Sequence, residues 1–514
     1  GRAGRDVARR AVAIIRSLPA WLTAALVLAL TLGTLSAVAW RAEVGRGLSA
    51  GDWSAIRFTV LQAAASAVVS VVLAIPVARA LARRQFRGRG ALVMLLGAPF
   101  ILPVIVAVLG LLAVFGRGGL LNVGLGAVGV APVSIYGAGG VVLAHVFFNL
   151  PLAVRLILQG WLSIPAERFR LAAQLNAPLW RVLELPMLAR HMPGALLVVF
   201  LICLTSFAVA LTLGGGPSAT TVELAIWQAI RFDFDLGRAA LLACVQFALC
   251  AMAALVAWHI TPLDGFGSGL DRTVARWDQS RWDWVWLILV TLFLVLPLAM
   301  ILWRGVPSLP DMGLDIYRAA GRSVLVALAA TALTLGAALS LSLRGGLLVV
   351  MIGALPLAAS ALVMGTGLFL MVFPFVNPVT VALPVTVCVN AFMALPFALR
   401  LLSPTVADIR ADYGRLAANL ALGPWATLRL IILPRVRKSL SFAAGLTMAL
   451  SIGDLGVVAL FATPAQETLP LAMYRLMGAY RMDAAAGAAV LLLFLALGAF
   501  WVCDSRGQGD ADAG

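Results

Sequence analysis

Few residues in this chain of 514 can do chemistry, and the most conspicuous is one carboxylate, Asp454 in SIGDLG. Asp454 lies about fourteen residues into an apolar run long enough to cross a bilayer, and Ser206 stands at the matching place in an earlier run. An ionisable group at that depth indicates a place on a substrate pathway. The alternative interpretation is a helix cap or a kink partner beside Gly453 and Gly456.

The remaining polar residues favour structural roles. Asp235 and Asp483 each precede a predicted helix, and this position predicts an N-cap for both. The three histidines are too widely spread in sequence to indicate a metal site, and the five cysteines lie in or beside apolar runs without a CxxC pair, which predicts buried thiols. The histidines are His145, His191 and His259, and the cysteines are Cys203, Cys244, Cys250, Cys388 and Cys503.

Motifs for catalysis are missing from the sequence. Lys438 in RVRKSLSF is the one lysine, and no GxxxxGK phosphate cradle precedes it, so a P-loop ATPase cannot be built here. The sequence also lacks HExxH and an obvious Ser/His/Asp or paired-carboxylate cluster. We therefore expect a non-enzyme that binds no cofactor of its own.

The composition indicates whether this protein is surrounded by water or by lipid. Hydrophobic residues make up 62% of the chain, charged residues only 12%, and the mean hydropathy is +1.02. A soluble domain has about half apolar and about a quarter charged residues, so the sequence predicts an integral membrane protein surrounded by lipid. The net charge of +16 comes from short arginine clusters between apolar runs, without interleaved aromatic residues, which indicates topology signals and excludes nucleic acid as a partner.

About twelve runs have spanning length. Because only helices satisfy their own backbone hydrogen bonds in hydrocarbon without closing a barrel, the predicted fold class is all-α. The first run follows a basic stretch and exceeds a signal-peptide core in length, so we interpret it as an uncleaved helix. The runs lie near 20–40, 58–82, 91–115, 138–160, 194–213, 239–259, 284–303, 323–343, 347–375, 377–402, 440–462 and 484–503.

The basic residues of the loops predict the orientation. With the N-terminus inside, most of the 38 lysines and arginines fall on the cytoplasmic side. An even number of crossings then places both termini in the cytoplasm.

One stretch occurs twice: RLAAQLNAPLWRVLELP begins at Arg170 and RLAANLALGPWATLRLIILP at Arg415, 245 residues later. The motif LPxAxRL recurs at the same spacing, at 150–156 and 395–401. Six crossings separate the copies, so the halves are predicted to be parallel repeats of six helices. The predicted units are 1–260 with a loop near 161–193, a cytoplasmic linker at 261–283, and 284–514 with a loop near 403–438.

Each copy predicts a short amphipathic helix at the cytoplasmic surface. Arg415 and Asn419 share one face, and Leu416 and Leu420 share another. Packing onto the chain's own bundle would explain one such helix, whereas a partner with two-fold symmetry explains two. We expect a bulky charged residue at Ala172 or Ala417 to block docking of that partner by overpacking the contact, while leaving the bundle inserted.

The two loops resemble the EAA loop of ABC importer permeases of type I. RLAA at 170–173 and at 415–418 covers the start of the motif, with arginine in place of the usual glutamate. Asn176 and Ala421 stand where the family has glycine, and the sharp turn of the second copy is expected at Gly423 instead. The resemblance implies coupling to an ATPase through Arg170, Leu171, Ala172, Ala173, Asn176, Arg415, Leu416, Ala417, Ala418, Ala421 and Gly423.

Within this family the chain is most similar to fused permeases for thiamine or its phosphates. The similarity rests on APFILPVIVAVLG at 98–110, the stretch from SFAVALTLGGG to GRAALLA at 206–243, and MGAYRMDAAA at 477–486. It implies import across a bacterial inner membrane with two copies of a cytosolic ATPase, which binds the ATP, and an extracytoplasmic substrate-binding protein. The alternatives are a ferric-iron ABC permease and a twelve-helix secondary transporter.

Overall fold

The structure is a computed structural model that describes residues 2–43, 45, 47–97, 101–214, 216–260, 280–346, 351–353 and 355–508. All regular structure in these residues is helical, as expected from the composition. The helices are α1 Arg2–Arg41, α2 Ala50–Arg83, α3 Arg89–Leu95, α4 Val104–Phe115, α5 Leu120–Ala127, α6 Ala138–Leu162, α7 Ala166–Gln174, α8 Leu185–Leu204, α9 Ala208–Leu213, α10 Val222–Arg231, α11 Leu236–Ile260, α12 Trp282–Gly305, α13 Leu314–Arg344, α14 Ala361–Val372, α15 Ala382–Asn419, α16 Leu433–Ile452, α17 Leu469–Gly478 and α18 Met482–Gln508.

Ten helical segments of the described residues are long and apolar enough to cross a membrane, fewer than the twelve predicted. The run near 347–375 contains α14, of only 12 residues, and the run near 440–462 ends its helix at Ile452. The predicted linker 261–283 lies mostly outside the described residues.

The chain has a first part, up to residue 260, and a second part, from residue 280. Helix pairs that pack together in the first part have counterparts in the second part. In the first part, α2 packs on α6 and α8, and α10 packs on α2 and α11. In the second part, α13 packs on α15 and α16, and α17 packs on α13 and α18. Even single hydrogen bonds recur: the Val222 amide donates to Thr59 Oγ1 at 2.9 Å, and the Leu469 amide donates to Ser323 Oγ at 2.8 Å.

The first helix of each part packs against the other part. Helix α1 packs on α13 and α14, while α12 packs on α2 and α4. An ion pair between buried Arg83 of α2 and Asp283 of α12, at 2.8 Å, accompanies the second contact. The buried hydrophobic residues form two clusters, and each cluster contains residues from both parts of the chain.

Several helices stop inside the bundle. Helix α8 ends at Leu204 and α9 begins at Ala208, while α16 ends at Ile452 and the next single turn is Val458–Phe461. Non-helical backbone at membrane depth is tolerated only where protein buries it or where it lines a water-filled cavity. The two breaks therefore indicate that the centre of the bundle is either enclosed by protein or lines a water-filled cavity.

Candidate functional site

The first of the duplicated loops folds as a helix with a tight C-terminal turn. Helix α7 ends in a Schellman motif, in which the Ala177 amide donates to the Ala172 carbonyl at 2.9 Å and the Asn176 amide donates to the Ala173 carbonyl at 3.2 Å. Asn176 has a φ of 52°, the left-handed conformation that this motif requires. The chain then enters α8 through a π-helical turn, Trp180–Glu184.

The second loop repeats this geometry at the end of α15. The Leu422 amide donates to the Ala417 carbonyl at 3.0 Å, and Ala421 has a φ of 49°. The expectation that Gly423 makes the turn is wrong, since Gly423 has a φ of −65° and is the N-cap of the turn Pro424–Thr427. The hydrogen bonds of the motif offset the cost of a left-handed alanine, about 1–2 kcal/mol.

Both loops expose the same apolar side chains. The exposed positions Leu171, Leu175 and Trp180 correspond, 245 residues on, to exposed Leu416, Leu420 and Trp425. We call these six side chains the loop patch. Arg170, Ala173, Arg415 and Ala418 are also exposed beside it.

Two of the predicted coupling residues face inward. Ala172 is 5% exposed and Ala417 is 8% exposed, so both are buried by the rest of the chain. A bulky charged residue there would overpack the chain's own interior, and the expectation that such a change leaves the bundle intact is corrected. The loop patch is the better target for testing docking.

The first loop is fastened to the bundle by charge. Arg79 Nε of α2 donates to Glu184 Oε2 at 2.8 Å, and the Arg79 guanidinium lies 5.6 Å from the centroid of the Trp180 ring. Glu184 is fully buried. Because removing one partner would leave the buried Glu184 carboxylate without its counter-charge, this pair fastens the first loop to α2.

The two pathway candidates lie in the breaks of their helices. Ser206 follows the end of α8 and Asp454 follows the end of α16, so the predicted matching position is correct, while a continuous helix through Asp454 is not. Asp454 Oδ1 accepts the Gly456 amide at 3.3 Å. Its Oδ2 is buried and has no hydrogen-bond partner among the described residues, which a cap alone does not explain.

The breaks also approach one another in space. A Cβ built on Gly456 would lie 3.7 Å from Asp454 Oδ1 and 3.9 Å from Phe207 Cδ1, so the residue after Ser206 meets the second break. A Cβ on Gly453 would lie 3.0 Å from Pro103 Cβ, directly before α4. Three chain interruptions therefore converge around Asp454.

Aromatic side chains and one acid at this centre were missed by the sequence analysis. The rings of Phe207 and Trp227 have centroids 6.1 Å apart, and Trp227 Nε1 donates to the Ala459 carbonyl at 3.2 Å. Glu223, one helical turn before Trp227, is 1% exposed. A carboxylate in the otherwise apolar stretch VELAIWQAI was the available signal.

Of the two predicted N-caps, one is confirmed. Asp235 precedes α11, and its Oδ1 accepts the Arg238 amide at 3.0 Å. Asp483 instead lies inside the first turn of α18 and is exposed. Capping therefore explains Asp235 but not Asp483.

The described histidines and the cysteines are not grouped. His145 Nδ1 lies 3.3 Å from Ser66 Oγ, and His191 Nδ1 lies 2.9 Å from the Met187 carbonyl. His259 has no described side chain. The cysteines are free, with Cys203 and Cys250 buried, Cys244 and Cys503 half-buried, and Cys388 exposed against expectation. Within the described residues, no three potential metal ligands cluster.

Fold and loops together define a membrane transport permease. Comparison with family models finds no match. Two full-length relatives are thiamine transport system permease proteins ThiP: that of Escherichia coli (strain K12) is 37% identical, covering 95% of this chain and 97% of the relative, and that of Haemophilus influenzae is 34% identical, covering 85% and 86%. The molybdenum transport system permease protein ModB of Mycobacterium bovis is 30% identical over 213 residues, which is 41% of this chain and 80% of the relative.

The chain belongs to the family of thiamine transport system permeases, which are ABC importer subunits and not themselves ATPases. This agrees with the resemblance found in the sequence. The alternatives of a ferric-iron permease and a secondary transporter are not supported.

Proposed function

We propose that this chain is the pathway through which a bacterial importer moves thiamine or its phosphates across the inner membrane. The observation that carries the proposal is 34–39% identity to thiamine transport system permeases over most of the chain. A separate cytosolic ATPase, in two copies, supplies the energy, and an extracytoplasmic binding protein delivers the substrate.

The proposed architecture is two parallel six-helix repeats, residues 1–260 and 284–514, joined by a cytoplasmic linker at 261–283. The recurring packing of α2 with α6 and of α13 with α15 supports it. So does the relative from Mycobacterium bovis, whose match is about the size of one repeat. Both termini are proposed to be cytoplasmic, from the distribution of basic residues.

The two loops are proposed to dock the two ATPase copies. Exposed apolar side chains at a water-facing surface indicate a partner when they form a patch rather than scattered single residues. Each loop carries three side chains of the loop patch on the same backbone geometry, as two identical partners require. The first docking site also includes Arg170 and the turn at Asn176. The second includes Arg415 and the turn at Ala421, and Gly423 begins the segment that leads away from it.

The proposed mechanism couples loop motion to the central breaks. When bound ATP draws the two ATPase copies together, the docked loops approach each other and carry α8 and α16 with them. Those are the helices that end at Ser206 and Asp454. Their displacement would open the converged breaks toward one side of the membrane and close them toward the other. The two side chains would then line the path of the substrate.

The docking proposal is tested by changing Leu171 and Leu416 together to Asp. Loss of apolar contact and burial of two unpaired carboxylates should weaken ATPase binding at least about tenfold. The matched control is Leu120→Asp, since Leu120 and Leu416 are both 48% exposed but Leu120 lies in α5, outside both loops. Co-purification of the ATPase and uptake of radiolabelled thiamine into proteoliposomes are the measurements.

The experiment distinguishes an error in the proposed docking sites from an error in the proposed cargo. If the double variant keeps its ATPase and its thiamine uptake, the loops are not the docking sites. If wild type takes up no thiamine or thiamine phosphate although the ATPase and binding protein are present, the proposed cargo is wrong.

A further inference from the structure

A cleft lies between α2 and α6 of the first part of the chain and α12 of the second. It has a volume of about 460 Å³, and the described residues that line it are aliphatic, aromatic or glycine. Gly139 of α6 lies at one end, and Val77 of α2 and Trp286 of α12 lie at the other. The volume is in the range of about 300–1,000 Å³ that is usual for ligand sites, and the lining predicts an apolar ligand.

The cleft is long and narrow. Helices α2 and α6 run parallel, because both pack antiparallel on α8. They are level where Ser66 Oγ lies 3.3 Å from His145 Nδ1. Gly139 lies six residues before His145 and Val77 eleven residues after Ser66, so at the helical rise the cleft is about 25 Å long. This volume and length together fit one extended hydrocarbon chain.

One side of the cleft is open. On its walls, Val69 is 38% exposed and Leu289 is 52% exposed. Both residues lie inside segments that are long and apolar enough to cross a membrane. Because the surroundings at that depth are lipid tails, a lipid chain can enter the cleft from the side.

An ion-pair network lies beyond the end of the cleft at Val77 and Trp286. Arg84 follows Val77 by two helical turns, on the stripe of α2 that lines the cleft, and Asp283 precedes Trp286 by one turn of α12. Arg84 Nε donates to Asp283 Oδ2 at 3.3 Å, and Arg83 Nη2 donates to Asp283 Oδ1 at 2.8 Å. Two guanidinium groups share one carboxylate, so these three side chains carry a net positive charge.

Two further arginines extend this positive charge. Arg87 is exposed three residues after Arg84. Arg281 is exposed beside Ser280, whose carbonyl accepts Arg84 Nη2 at 2.8 Å. The proposed topology places this end of the helices in the cytoplasm. Basic groups between membrane helices on the cytoplasmic side suit the headgroups of anionic lipids.

We propose that this cleft binds one anionic phospholipid, with an acyl chain between α2, α6 and α12 and with the phosphate at Arg84, Arg87 and Arg281. The chain fills the space between helices of both parts and so stabilises their junction. A zwitterionic lipid would gain less from the net charge of the arginines, and a free phosphate would leave the apolar cleft empty. The site is separate from the proposed substrate pathway. Only its place in the cytoplasmic leaflet depends on the proposed topology.

Native mass spectrometry of the full chain, purified in detergent, measures binding. Phosphatidylglycerol is the anionic probe, and phosphatidylcholine with the same acyl chains is the zwitterionic comparison. Wild type should retain one phosphatidylglycerol and bind it at least about fivefold more tightly than phosphatidylcholine, because the arginines favour a net negative headgroup. Inorganic phosphate at the same concentration should not displace the lipid.

Two pairs of variants test the two ends of the lipid separately. Leu289→Trp places a larger side chain in the cleft and should weaken phosphatidylglycerol binding at least about fivefold. Its matched control is Ile288→Trp, since Ile288 is 54% exposed on the same helix but does not line the cleft.

The headgroup contact is tested by changing Arg87 and Arg281 together to Gln. Both side chains are exposed, so the fold should be retained, and binding of phosphatidylglycerol should again weaken at least about fivefold. The control changes Arg57 and Arg117 together to Gln. These two residues are also exposed, and the proposed topology places them on the opposite side of the membrane. The control removes the same charge and should bind as wild type does.

Three results would each overturn the proposal. Equal binding of the two lipids would show that the headgroup charge is not recognised. Equal binding by Leu289→Trp and Ile288→Trp would place the lipid outside the cleft, and displacement by inorganic phosphate would indicate a site for a free anion. Circular dichroism and gel filtration establish that each variant is folded. None of these measurements involves the transported cargo, so they are independent of the proposed function.

Discussion

At the scale of the residue, Asp454 differs from a cap because its Oδ2 is buried and has no partner among the described residues. A fixed negative group lowers the barrier for a cation in a low-dielectric passage, and thiamine carries a positive thiazolium ring. Asp454→Asn should reduce thiamine uptake about tenfold while ATPase co-purification is retained. Asp483→Asn, at the exposed start of α18, serves as the control. Uptake equal to wild type in Asp454→Asn would leave Asp454 a structural residue.

At the scale of the element, two helix crossings depend on glycine. A Cβ on Gly110 of α4 would lie 2.8 Å from the Pro297 carbonyl oxygen of α12, and a Cβ on Gly367 of α14 would lie 2.5 Å from Thr34 Cβ of α1. Small residues allow membrane helices to approach closely without a hydrophobic driving force between them. These crossings bring α12 and α1 onto the opposite parts of the chain.

Gly110→Ala and Gly367→Ala should each destabilise the protein by about 1–3 kcal/mol through overpacking. Gly336→Ala in α13 is the matched control, because its Cβ would meet nothing within 4 Å, and alanine in a helix interior should add about 0.5–1 kcal/mol. Thermal unfolding in detergent measures all three. Equal midpoints for Gly110→Ala and Gly336→Ala would show that the crossing tolerates a methyl group.

At the scale of the whole molecule, the orientation of the protein in the membrane can be tested by labelling one side-chain amine. Lys438 is the single lysine and is exposed at the start of α16, next to the second loop. With that loop in the cytoplasm, a membrane-impermeant amine reagent should label the Lys438 peptide in inverted vesicles and not in intact spheroplasts. Lys438→Arg combined with Arg117→Lys, in the exposed turn between α4 and α5, should reverse the result. Labelling of Lys438 in spheroplasts would invert the proposed topology.

The sequence by itself determined the membrane environment, the helical class and the two duplicated loops, because composition, run length and repetition are properties of the chain that need no contacts. It also located Ser206 and Asp454 at matching positions. The correspondence of Asn176 and Ala421 followed from alignment of the two copies, even though alanine is a poor left-handed residue.

Only the tertiary structure decided which residues of these segments face inward and where the helices break. Ala172 and Ala417 are buried while the neighbouring leucines are exposed, which depends on what packs behind each loop. The run through Asp454 is interrupted because surrounding protein buries its free backbone groups, an option that hydropathy cannot detect. Glu223 and Ser360, 137 positions apart in the chain, are each 1% exposed and interact through their side chains. Burial and hydrogen bonding between such distant residues arise only when the two parts of the chain come together.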